Sequence, residues 1–158
     1  VTKMSGMFFG CSKLTDLTPL ANWQTGKVLY MYDMFNGCSN LTNLAGLANW
    51  DTGNVTSISD MFLGCSKLTD LTPLANWQTG KVDNMNGTFD GCSELTDLTP
   101  LTNWQTGKVI NMSAMFRNCV KLTNTVGINS WNISKVRYFE KMFTNCPSYP
   151  VWYNTYYN

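Results

Sequence analysis

An α/β repeat is the fold class this chain predicts, with 27-residue units that each add a short helix and a short strand to a parallel ladder. Three observations carry that expectation. The six cysteines, Cys11, Cys38, Cys65, Cys92, Cys119 and Cys146, follow one another at intervals of 27 residues. The same step relates Trp23, Trp50, Trp77, Trp104 and Trp131, and also Phe8, Phe35, Phe62, Phe89, Phe116 and Phe143. Residues 11–27 and 65–81 are identical over 17 positions. A step kept without insertion or deletion marks stacked units that bury continuous columns of side chains.

Each unit divides into two parts. From Val28 the apolar positions are Val28, Met31, Met34, Phe35, Cys38 and Leu41, and steps of three and four predict an amphipathic helix. Thr25 stands just ahead as its N-cap, and Gly37 marks its end. Leu41-Thr42-Asn43-Leu44 follows as a short strand, then a turn at Ala45-Gly46 where other units carry Thr-Pro. Neither element is stable alone in water, so stacking has to supply the burial. Residues 1–146 are expected to form this solenoid, entered mid-unit at Val1 as a piece of something longer. Residues 147–158, where Tyr149 and Trp152 replace leucines, are expected to be an aromatic C-terminal cap.

Composition excludes several functions. The 158 residues carry 11 basic and 10 acidic side chains, a net charge of +1, and no histidine. Charged residues are 13% of the chain, about half the usual share. No electrostatic footprint for nucleic acid is present, and imidazole chemistry is impossible. No apolar run reaches the ~20 residues that span a bilayer. Neither a nucleophile elbow nor a phosphate-binding loop occurs. No enzyme, cofactor or metal site is expected, and no membrane insertion within this segment.

The pattern MF-x-G-C-S-x-L-T-x-L followed by N-W-x-T-G-x-V-x-x-M resembles the BspA-like leucine-rich repeats of bacterial surface proteins. It is most similar to the branch shared with mycoplasma-type surface lipoproteins, and Trp50-Asp51-Thr52-Gly53-Asn54-Val55 is the nearest local match. The resemblance covers essentially residues 1–146. It implies a right-handed leucine-rich-repeat-like solenoid, an extracellular, cell-surface location, and adhesion or host-protein binding. Where Leu-Thr-Pro-Leu-Ala replaces that family's Leu-Asp-Leu-Ser, the turn after the strand is expected to differ.

The columns have competing readings. For the cysteines a reduced, buried ladder leads, with disulfides between neighbours and metal binding as alternatives. For the tryptophans a structural ladder leads over a carbohydrate-binding stripe. Asp16, Asp70 and Asp97 share a column with Asn43 and Asn124 and read as solvated polar side chains.

Function has to be sought where the units differ. On the expected helix the outward, variable positions include Tyr30, Tyr32, Asp33, Asn84, Asn111, Arg117 and Tyr138. These are the candidate partner-binding residues, against the alternative of neutral drift on a solvated face. The partner expected is a host or neighbouring-cell protein or glycan. A second possibility is self-association, head to tail, into filaments or surface arrays.

Overall fold

The computed structural model describes the backbone of residues 1–157 and the side chains through residue 154. Its units stack in register, and the backbone between them is joined by parallel bridges. One ladder of bridges runs the length of the stack, from Lys3 to Tyr30, Ser57, Asn84, Asn111 and Tyr138. A second is intermittent, joining Asp16 to Asn43 and Asp97 to Asn124.

The helix expected from Val28 to Leu41 is not formed. Amides of Met31, Asp33, Phe35 and Gly37 donate to the carbonyls of Ser57, Ser59, Met61 and Leu63 in the next unit, at 3.0, 3.0, 2.9 and 2.7 Å. The amides between them, Met34, Asn36 and Cys38, fold back three residues to Met31, Asp33 and Phe35, at 3.3, 3.2 and 3.1 Å. An α-helix would send every amide to the carbonyl four residues earlier. Here the chain is a run of tight turns whose alternate amides are used between units. The cause lies in two columns of left-handed residues. Asp33 (φ 58°) and Gly37 (φ 76°) recur as Asp60 and Gly64 (54° and 71°) and as Ala114 and Asn118 (54° and 62°). Two left-handed residues four apart stop a right-handed helix from propagating. The helical spacing of the apolar residues is still explained, since Val28, Met31, Met34, Phe35, Cys38 and Leu41 are all buried.

The strand expected at Leu41–Leu44 shrinks to the single bridge of Asn43 with Asp16. After it the chain makes five 3-10 turns, Thr18–Leu20, Ala45–Leu47, Thr72–Leu74, Thr99–Leu101 and Val126–Ile128. The Asp/Asn column has a role here beyond solvation. Asp16, Asn43, Asp70, Asp97 and Asn124 each accept the N–H two residues on, at 2.8 to 3.2 Å, and so cap the turns. Accepting the Thr18 N–H and hydroxyl holds the Asp16 carboxyl below its usual range. In this second ladder bridges form only where the following turn carries glycine. A Cβ at Gly46 would overlap the Leu17 carbonyl oxygen, and one at Gly127 would lie 2.6 Å from Thr99 Cα. The units with Pro73 and Pro100 in that place make no such bridge to the unit before.

The core consists of columns. Phenylalanine rings stack at 5.4 to 5.6 Å from Phe8 through Phe143. Trp23 stacks on Trp50, Trp77 on Trp104 and Trp104 on Trp131, at 6.2 to 6.4 Å. The polar atoms of these columns are satisfied between units. The indoles of Trp50, Trp77, Trp104 and Trp131 donate to the carbonyls of Leu20, Leu47, Leu74 and Leu101 at 2.9 to 3.0 Å. Buried Thr25, Thr52, Thr79 and Thr106 donate to carbonyls of the following unit at 3.0 to 3.4 Å. Thr25 therefore joins units rather than capping a helix.

All six cysteines are free thiols. Cys38, Cys65, Cys92 and Cys119 are buried, Cys146 is partly so, and Cys11 is exposed. From Cys38 onward each thiol donates to the phenylalanine carbonyl of the unit before, at 2.9 to 3.3 Å. Burial, and then the neighbouring Cys11, push the Cys38 thiol up to about 11. Burial raises Cys65 and Cys92 further still. These thiols act as small buried donors and are poor nucleophiles.

Over the last unit lies helix α1, Val151–Tyr157. Trp152 and Tyr153 pack edge-on against Phe143 at 6.4 and 4.9 Å, and Tyr149 meets Tyr153 at 5.7 Å. Asn158, the last residue of the expected cap, lies outside the described residues.

Candidate binding face

The continuous ladder settles which side chains point outward. Met31, Ile58, Met85 and Met112 follow the bridged residues and are buried in the core. Alternation along extended backbone then turns the bridged residues themselves outward. Tyr30 is 39% exposed and Tyr138 is 50% exposed, while Ser57, Asn84 and Asn111 between them are half-buried. The candidates Tyr30, Asn84, Asn111 and Tyr138 therefore stand in one column. Tyr32 lies two residues on, on the same face, with its ring edge-on to Tyr30 at 6.4 Å.

Side-chain orientation on this face is fixed by the backbone. The Asn86 N–H donates to Asn84 Oδ1 at 3.0 Å, and the Ser113 N–H to Asn111 Oδ1 at 2.9 Å. A backbone amide only donates, so the bonded atom of each side chain is its oxygen, and each Nδ2 is left for another acceptor. The Ser57 and Ser59 hydroxyls share one bond at 3.2 Å. At the ends of the face lie charges, with Lys3 Nζ 5.9 Å from the Tyr30 ring centre and Glu140 accepting from the Ser113 hydroxyl at 2.7 Å. That hydroxyl is the main cause that holds the Glu140 carboxyl below its usual range.

Asp33 and Arg117 belong to a different cluster. Asp33 sits at a left-handed position and accepts the Asn36 amide at 2.7 Å. Arg117 Nε donates to Asp90 Oδ2 at 2.9 Å, and Asn118 Nδ2 to Asp90 Oδ1 at 3.3 Å. Asp90 is only 4% exposed, so its carboxylate needs these partners. The bond to Asp90 raises the Arg117 guanidinium above its usual range. Arg117 thus closes a buried charge, and its freedom to meet a partner is reduced. Asp60 shares this neighbourhood, and its carboxyl is raised by burial first, then by Asp33 and Asp90.

Further outward positions of the same columns, beyond the candidates named from the sequence, belong to the face. Ser57, Ser59, Asn86 and Ser113 complete it, and the available signal was a polar residue two positions after each bridged one. Asp90 was missed as the partner of Arg117, although one 27-residue step separates them. Among the described residues there is no enclosed cavity, and no helix is long and apolar enough to cross a membrane.

Stacked, bridged units with a variable outward face define a repeat protein. The chain belongs to the family described as Mycoplasma protein of unknown function, DUF285, whose model matches residues 1–72 and again residues 68–155. No curated protein and no solved structure matches it.

Proposed function

We propose that the chain is a non-enzymatic recognition module displayed at a bacterial cell surface. Its units would form a right-handed solenoid of the BspA-like leucine-rich-repeat branch. The observation that carries this reading is the ladder from Lys3 to Tyr138, a regular backbone that presents different outward residues in each unit. A fixed scaffold with a variable face suits binding to a host or neighbouring-cell protein or glycan. Catalysis would need an asymmetric group of tuned residues, and the shifted acids here are scattered: Asp16 caps a turn, Asp60 is shifted first by burial and Glu140 by the Ser113 hydroxyl. Binding of the purified protein to host cells, matrix proteins and a glycan panel tests the reading, together with antibody labelling of intact producing cells. Saturable binding and surface labelling are expected; absence of both would remove it.

Head-to-tail assembly is the second reading. Units already joined by parallel bridges could join in the same way across an end-to-end contact at the Lys3 end of the ladder. At the other end α1 covers the last unit, and Trp152 already occupies an acceptor that an incoming unit would need. The recognition reading is preferred for that reason. Light scattering across a concentration series distinguishes the two.

A further inference from the structure

We infer that the face between Tyr30 and Tyr138 binds a neutral oligosaccharide lying along the stack. The inference rests on the recognition reading and narrows its ligand.

Charge is the first ground. Between the two tyrosines the two columns of the face hold Ser57, Ser59, Asn84, Asn86, Asn111 and Ser113, all neutral, and the ionisable groups that border them are carboxylates: exposed Asp83 beside Asn84, Asp60 bonded by the Asn86 side chain, and Glu140 accepting from Ser113. An anionic partner pressed here would meet these carboxylates, and a cation would leave water for a strip that itself carries no charge. Hydroxyl-rich neutral ligands lose less, and amides and hydroxyls replace their water bonds.

Pre-organisation is the second ground. The bonds at Asn84 Oδ1 and Asn111 Oδ1 fix two half-buried side-chain amides by their oxygens and leave their Nδ2 donors uncommitted. Neither Nδ2 has an acceptor among the described residues. Donors held before binding cost less entropy to use.

Spacing is the third. Bridged residues recur every ~4.8 Å, so four steps from Tyr30 to Tyr138 span ~19 Å. A linked pyranose chain advances by a similar step per ring, so successive sugars meet successive units. Tyr30 and Tyr138 flank the strip, where a ring face packs against the apolar face of a sugar.

A peptide strand fits less well. The Ser57, Asn84, Asn111 and Tyr138 carbonyls already accept from Met31, Ile58, Met85 and Met112, at 2.9 to 3.1 Å. The face therefore offers no free edge for strand addition.

The test is calorimetric titration with neutral gluco-, manno-, galacto- and N-acetylglucosamine oligomers of one to six rings, with heparin as the anionic comparison. For one neutral series, affinity is expected to climb with length and level off at about four or five rings, the ~19 Å span. Asn111→Asp keeps the bond to Ser113 and removes the Nδ2 donor. It should weaken binding about tenfold without changing the melting temperature, as should Tyr138→Ala. Lys67→Ala, in another column, should leave binding unchanged. The inference is overturned if no neutral series binds, if affinity ignores chain length, if Asn111→Asp and Tyr138→Ala bind as well as the parent, or if heparin binds more tightly. Cell binding that depends on Tyr138 yet resists competition by every sugar would overturn the glycan alone. Loss of all cell binding would overturn the recognition reading with it.

Discussion

Trp152 donates its indole N–H to the Ile128 carbonyl at 3.0 Å, the bond that Trp131 makes to Leu101, also at 3.0 Å. Trp131 reaches back 30 residues and Trp152 only 24. Helix α1 therefore places a tryptophan where the next unit's tryptophan would otherwise donate, and ends the ladder without an unpaired acceptor.

Removing that residue exposes the last unit. Trp152→Ala is expected to cost about 3 kcal/mol, from lost aromatic burial and an unpaired carbonyl. Trp152→Phe should cost about 1 kcal/mol, since packing is largely kept and one bond is lost. Urea denaturation of both variants checks the order, and hydrogen exchange should show the units nearest Ile128 opening first.

The glycine turns make a sharper contrast. Gly46→Ala drives a methyl into the Leu17 carbonyl and should destabilise by more than about 2 kcal/mol. Gly26→Ala meets only the mobile end of Asp51, 2.7 Å away, and should change stability by under about 1 kcal/mol. Equal costs at the two sites, measured by denaturant midpoints, would contradict the close approach.

Left-handed residues without a side chain are favoured where Cβ is strained. Ala114 holds φ 54° in the column where Gly6 and Gly87 hold 65° and 59°. Ala114→Gly should stabilise the protein by about 1 kcal/mol despite the entropy cost of glycine. A lower melting temperature for this variant would show that no strain is stored there.

Asp60 gives the pH dependence. Its carboxyl is raised in the folded protein, by burial and then by Asp33 and Asp90. A folded value above the unfolded one means that the native state binds the proton more tightly. Its contribution to stability therefore falls as pH rises through the window just above 3.8. Asp60→Asn should be more stable than the parent at pH 7, by about 0.5 kcal/mol after solvent screening of a partly exposed group. The gain should shrink as pH falls below that window. A gain independent of pH would assign it to something other than charge.

Much of the architecture was legible because stacking repeats one environment in every unit. Val28, Met31, Phe35, Cys38 and Leu41 announced their burial by recurring at one step. The local conformation was less legible. Apolar steps of three and four suit a helix, and they equally suit a run of three-residue turns. The distinguishing signal was the mixture of Gly6, Asp33, Asp60 and Gly87 in one column, residues tolerant of left-handed backbone, four before the Gly10 column. The strand was misplaced for the same reason: the long ladder runs through Tyr30, inside the stretch expected to be helical. Tyr30 and Tyr138 still stand outward, because the residue after each lies in the core. Arg117 is apart from them because it stands six residues past the bridged Asn111 and pairs with Asp90, its neighbour one unit earlier in the same column.

The most direct measurement is the binding of labelled protein to host cells, compared between the parent and the double variant Tyr30→Ala/Tyr138→Ala. Both rings are exposed, so the variant should fold with an unchanged melting temperature. Loss of at least about tenfold in affinity is the result expected if this face makes the contact. Full binding by the folded double variant would contradict it.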